Sequence, residues 1–310
     1  MGLYYQPSNR MPRRGALLFL IAGGAAATVL AFGYVYALWY CRLVNGLLCL
    51  AFGGALGAVL AQLVRRGRLR SPRGAAGLAL PVGLAAVYLQ WSVYLALLFG
   101  AGGAPGGPAQ GRAGAPFHFR AWAGLLAHPG RLVAELAAVN QAHIWTLDRR
   151  GPGPGPSLVM FWVAEAVIIV GGACLGARAQ AKQPFSEATG AWARCATMPQ
   201  PLRYATDPAA LRTALEAGRF DGLLPCATKL DVAQMIRHKQ TSFARLELYA
   251  APGDAHGCYL MLANFEKKIQ KGLTVYGVVP VVERLAISAA THAALTQRFG
   301  TAWAPSGAAQ

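Results

Sequence analysis

Leu158 to Ala177 reads LVMFWVAEAVIIVGGACLGA, twenty residues whose one charge is Glu165. A bilayer-crossing helix needs about 20 apolar residues, and this stretch meets that length. Three further stretches share the property. Gly15 to Cys41 (GALLFLIAGGAAATVLAFGYVYALWYC) and Leu43 to Val64 carry no charge at all. Gly74 to Gly111 is uncharged too, although from Gly100 onward it is too rich in Gly and Pro for a helix. Buried helices of soluble proteins rarely run uncharged for so long, and four of them in one chain exclude that reading. Composition agrees, since 55% of the 310 residues are apolar and only 13% charged, against about 25% charged in soluble domains. The expected spans are 16–40, 43–64, 76–99 and 158–177.

Basic residues set the expected orientation. The tail over 1–15 carries Arg10, Arg13 and Arg14 without an acid, and the second-to-third connection carries Arg65, Arg66, Arg68, Arg70 and Arg73. The opposite connection offers only Arg42. The positive-inside rule then places both termini in the cytoplasm, in an inner (plasma) membrane, with 100–157 as an exterior or periplasmic loop. The first apolar run exceeds the 7–15 residues of a signal-peptide core and ends in no A-x-A site, so it reads as an uncleaved span. Tyr34, Tyr36, Trp39 and Tyr40 fit its outer interface.

Within the exterior loop, Gly100 to Pro116 and Gly151 to Pro156 have linker composition. Between them Pro129 opens a helix with Leu132, Val133, Leu136 and Val139 at helical spacing. Phe117, Phe119, Trp122 and Trp145 flank it, and Glu135 and Asp148 dilute the loop's arginines. A helix lying on the outer leaflet and a helix packed on the bundle top both satisfy that pattern.

Residues 178–310 hold 15 Lys/Arg and 9 Asp/Glu, a composition suited to a water-exposed domain. Asp207 and Pro208 start a helix that Gly218 stops. Lys229 to His238 reads as a second helix. Phe243 to Ala251 alternates as a half-buried strand, with Leu246, Leu248 and Ala250 inward and Arg245, Glu247 and Tyr249 outward. Cys258 to Phe265 and Leu273 to Val282 follow as further strands, joined by a basic turn with Lys267, Lys268, Lys271 and Gly272. Ser288 caps a last helix with Leu295 and Phe299 on one face, and Pro305 to Gln310 reads as frayed. The fold class expected is a four-span α-helical membrane protein with a C-terminal cytosolic α+β domain built on a small antiparallel sheet.

Glu165 lies about 3 residues, or ~4.5 Å, outward of its span's midpoint, and Gln90 about 2 residues, or ~3 Å, outward of its own. Their similar depth predicts a direct hydrogen bond from a protonated Glu165 to the Gln90 amide, because a neutral carboxyl avoids burying charge. An intramembrane acid is a functional-site candidate, here for proton or ion coupling; a polar fastener between helices satisfies the same residues. Gly53 with Gly57 and Gly172 with Gly176 have the small-xxx-small spacing of close helix packing, within a bundle or a dimer.

Cys41, Cys49 and Cys174 sit in or beside spans as small apolar residues. Cys195, Cys226 and Cys258 face a reducing compartment, so no disulfide is expected. With His256 they are weak metal candidates, since His256-x-Cys258 is not a usual zinc spacing, and no metal or other cofactor is expected. No P-loop, GxSxG, HExxH or kinase signature occurs, and Gly100 to Gly107 is a linker without the following Lys of a P-loop. The net charge of +17 does not indicate nucleic acid: the arginines of 65–73 lie too close to two spans and suit lipid headgroups better. The partners expected are the bilayer, another copy of the chain, and a cytosolic protein or small ligand. The leading functional expectation is a membrane-anchored regulatory or interaction module without catalytic activity. A small transporter or channel subunit using Glu165 and Gln90, and an enzyme sited in the cytosolic domain, are the alternatives.

Overall fold

A computed structural model describes residues 2–41, 45–100, 117–141, 156–227, 230–238, 241–270 and 273–300. Arg42, Trp145, Asp148, Lys229, Lys271, Gly272, residues 305–310 and nearly all of both linkers lie outside the described residues. The chain divides into two compact units, residues 8–182 and residues 1–7 joined with 183–310.

The first unit contains four helices long and apolar enough to cross a membrane: α1 (Arg13–Tyr40), α2 (Asn45–Gly67), α3 (Pro72–Gly100) and, after two short helices, α6 (Pro156–Ala181). Each extends beyond its predicted uncharged core by a few residues, because Arg at a helix end can reach polar surroundings without breaking the helix. α2 and α3 each pack against both α1 and α6. Cys49 and Gly57 of α2 meet Glu165 and Gly172 of α6 in parallel order. Gly83 of α3 meets Val170, while Ala76 meets Cys174, so α3 and α6 are antiparallel. Gly23 beside Val82, and Trp39 beside Tyr94, show α1 and α3 parallel. The directions therefore alternate along the chain, and the chain enters and leaves the bundle at one end.

The loop contains α4 (Phe119–Ala127) and α5 (Pro129–Gln141). α5 begins at Pro129 as the sequence indicates; α4 was not foreseen. His118 caps α4, its Nδ1 accepting from the Ala121 amide at 3.1 Å. Leu125, Leu132 and Val139 bury themselves against Trp91, Leu95 and Leu98 of α3, while Val133 faces outward. Of the two readings of α5, packing on the bundle is the one observed.

In the second unit, β1 (Phe185–Ser186) pairs with β2 (Ala191–Trp192), and β3 (Arg194–Thr197), β4 (Phe243–Ala250), β5 (Cys258–Gln270) and β6 (Leu273–Ile287) form an antiparallel sheet in sequence order. The three short strands β1 to β3 were not expected. One sheet face, with Leu246, Leu248, Leu260 and Leu262, packs against Leu215 of α7 (Pro208–Glu216) and Leu295 and Phe299 of α9 (Ala289–Phe299). Asp207 caps α7 by accepting from the Ala209 and Ala210 amides, and Ser288 caps α9 by accepting from Thr291 N. α8 (Val232–His238) is shorter than its predicted range and covers Phe243 and Phe265 with Val232 and Met235.

Two expectations about this unit need correction. β4 is buried on both faces, not one: Glu247 and Tyr249 are 7% and 4% exposed. Their polarity is met inside the unit, so it does not force them outward. Residues 2–7 are also not a bare tail. Tyr5 N donates to Arg284 O at 3.0 Å and Ala286 N to Leu3 O at 2.8 Å, so the segment adds to the β6 edge. A bulge there places Arg284 at φ 57°.

Candidate functional site

The seam between α2 and α6 determines where the buried acid Glu165 points. Gly53 and Gly57 of α2 face Gly172 and Gly176 of α6 backbone to backbone. A Cβ built on Gly172 would stand 2.5 Å from Gly53 O, and one on Gly53 would stand 2.8 Å from Ile168 O. Only glycine admits so close a backbone approach between two helices. The two glycine pairs therefore meet each other within one chain. One turn before Gly53, Cys49 Sγ donates to the Glu165 carbonyl at 3.6 Å and continues the seam.

Glu165 and Gln90 are buried, at 4% and 3% exposure, and line one cavity with Tyr34, Val35, Leu38, Trp91 and Tyr94. The predicted convergence of the two residues is therefore seen, but the predicted hydrogen bond is not. Gln90 Oε1, the intended acceptor, is buried without a partner. Tyr34 Oη instead donates to Glu165 Oε1 at 3.3 Å. Tyr34, an interfacial ring by its sequence context, lies inside the bundle, stacked on Phe52 at 5.0 Å between centroids. Its place in the site had one sequence signal, its depth in the first span, which the adjacent aromatic cluster masked. The cavity has room for about one water. Trp91 and Trp162, with centroids 4.9 Å apart, stand beside it, and Trp91 joins the cluster under α4 and α5. The cavity thus sits beneath the helical cap of one bundle end.

The cysteine and histidine candidates do not come together. Cys195 lies against Glu247 (3.9 Å), Cys226 donates to Leu202 O (3.0 Å), Cys258 is buried in the main core, and His256 occupies an exposed turn. Among the described residues no group of three His, Cys, Asp or Glu side chains is placed to hold a metal. Burial first, and the Glu247 carboxylate second, push the Cys195 thiol up to about 11, the reverse of an activated nucleophile. Glu247 is held by Arg245 at 2.7 Å and by Tyr249 Oη at 2.8 Å, and the Arg245 guanidinium also lies 4.8 Å over the Phe265 ring. Tyr249 is raised by burial and by that same carboxylate. This is a buried ionic network of structural character, in which Arg245 Nε alone is left without a hydrogen-bond partner.

The exposed end of the β5–β6 hairpin has a different chemistry. Ile269 and Leu273 are 74% and 71% exposed, and Val278 and Val279 follow on β6. Lys267 and Lys268 stand beside them, with Glu266 bonded to Lys268 at 3.1 Å, and Lys271 follows in sequence. Comparison with family models, with curated proteins and with solved structures gives no match.

Proposed function

We propose that the protein is a membrane-anchored interaction module, held by four spans with both ends in the cytoplasm, whose C-terminal domain docks its β5–β6 hairpin on an anionic lipid surface. The observation that carries this reading is the exposed pair Ile269 and Leu273 beside a lysine cluster. Apolar side chains flanked by lysines match the two layers of an anionic interface, acyl chains below and phosphate above. Full burial of each apolar side chain is worth about 1.5–3 kcal/mol, and each lysine near the surface about 1 kcal/mol. Eight arginines flanking the first three spans support the cytoplasmic placement, as does the entry and exit of the chain at one bundle end.

Hydrogen–deuterium exchange on the full chain in nanodiscs tests the reading. Residues 266–279 should exchange more slowly in phosphatidylglycerol discs than in phosphatidylcholine discs, and K267E/K268E should remove the difference. Equal exchange in both lipids refutes lipid docking.

A further inference from the structure

The outer edge of β6, away from the hairpin tip, is shaped to take an extended peptide. An edge strand offers N–H and C=O groups to a further strand, and here residues 3–5 take up that offer in antiparallel register, with Tyr4 opposite Leu285. Successive side chains of an extended segment point to opposite faces, and each face receives one of the two tyrosines. Tyr4 packs on the leucine core of the sheet and donates its hydroxyl to Glu216, the last residue of α7. Tyr5 meets the Tyr259 ring edge-on at 5.3 Å between centroids, and its hydroxyl oxygen accepts from Phe185 N of β1 at 3.2 Å. All of these partners belong to residues 183–310, whereas the segment is joined to them only through residues 8–182. It stands to the C-terminal domain as a ligand on a tether.

We propose that the β6 edge at 284–286, with Glu216 on one face and Phe185 and Tyr259 on the other, is a binding site for an extended peptide with two consecutive tyrosines, and that residues 3–5 are its tethered ligand. In strand addition of this kind main-chain bonds supply affinity and alternate side chains supply specificity. The main-chain bonds run from Tyr5 N to Arg284 O and from Ala286 N to Leu3 O. Specificity lies in the hydroxyls: the first tyrosine donates to a carboxylate, and the second accepts from an amide against an aromatic ring. Tethering makes docking intramolecular and gives the segment a high effective concentration, so a free peptide enters only when the tethered one is out.

A fluorescent peptide with the sequence of residues 2–9, GLYYQPSN, tests the site by anisotropy in nanodiscs. The chain lacking residues 2–5 should bind it saturably. Carrying Y4F, the peptide should bind about tenfold or more weakly, through loss of a hydrogen bond to a charged acceptor. The intact chain should bind the unaltered peptide at least ~10-fold more weakly than the deletion variant, because its own segment competes. No binding to a deletion variant whose circular dichroism matches the intact chain overturns the site. Equal binding by the two chains overturns the tethered ligand, and equal binding of the two peptides overturns selection by the hydroxyl. Where the deletion variant does not fold, hydrogen–deuterium exchange of the intact chain decides. Y4F should speed exchange of the Ala286 amide, which donates to Leu3 O, and unchanged exchange there overturns the proposal.

Discussion

Two neighbouring glycines of α6 offer a sharp test of the seam that joins α2 to α6. Gly171 has open space where a Cβ would stand, with no heavy atom within 4 Å. Gly172 would place its Cβ 2.5 Å from Gly53 O and 2.7 Å from Gly53 C. Carbon contacts are comfortable at about 3.5 Å, so the helices would have to part by ~1 Å for G172A. Replacing Gly by Ala within a helix gains up to ~1 kcal/mol from propensity at either position. Overpacking of a close contact costs about 1–3 kcal/mol, and it falls on G172A alone. G171A should therefore be neutral or stabilised by up to ~1 kcal/mol, with G172A lying about 1–3 kcal/mol below it. The propensity gain cancels in that difference, which isolates the backbone contact. Reversible unfolding in mixed micelles, followed by far-ultraviolet circular dichroism, measures both variants on one scale. A G172A protein as stable as G171A would refute the seam.

Two more expectations concern the C-terminal domain. R245M takes the guanidinium from Glu247 and leaves it buried against Tyr249 and Cys195, which should cost about 3–5 kcal/mol, whereas replacing both charges with R245M/E247L should cost markedly less than the single change; a denaturant series of the three proteins decides, and an additive double variant would refute the coupled pair. Tyr4 donates its hydroxyl to Glu216, and burial together with that carboxylate pushes its pKa up to about 12. A raised phenol favours the folded state fully below about pH 10, its unfolded value, and the contribution fades as pH rises toward 12. Y4F should flatten this alkaline decline in a pH series of melting temperatures, and an unchanged slope would refute the assignment.

The features readable from sequence are those whose cause is local. Absence of charge over twenty residues marks the four helices long and apolar enough to cross a membrane, because the cost of burying charge in an apolar medium is borne residue by residue. Asp207 with Pro208, and Ser288, announce helix starts because each cap bonds to amides two or three residues away. The hairpin β4–β5 follows from alternation and turn chemistry. What escaped has partners far along the chain. Leu3 and Tyr5 pair with Ala286 and Arg284, and no local pattern marks that contact. Arg245, Glu247 and Tyr249 look solvent-facing because they are polar, yet they satisfy one another across a turn of strand pleat. The glycine spacing gave the possibility of close packing without its partner, and Tyr34 was hidden among rings that do suit an interface.

Seam and cavity are also not independent. Glu165 and Gly172 are seven residues apart, which at about 3.6 residues per turn puts them within ~20° of one helical face. The contacts Cys49 to Glu165, Gly53 to Ile168 and Gly172, and Gly57 to Gly172 and Gly176 then form one continuous line along α2 and α6. That line determines the rotation of α6. A slip of one residue would turn α6 by ~100° and carry the carboxyl away from Tyr34 and Gln90. Glycine packing is thus what makes a buried acid tolerable at this depth, since it holds Glu165 against polar partners. It follows that G172A should disturb the Tyr34–Glu165 contact along with stability, whereas G171A should leave that contact as it is.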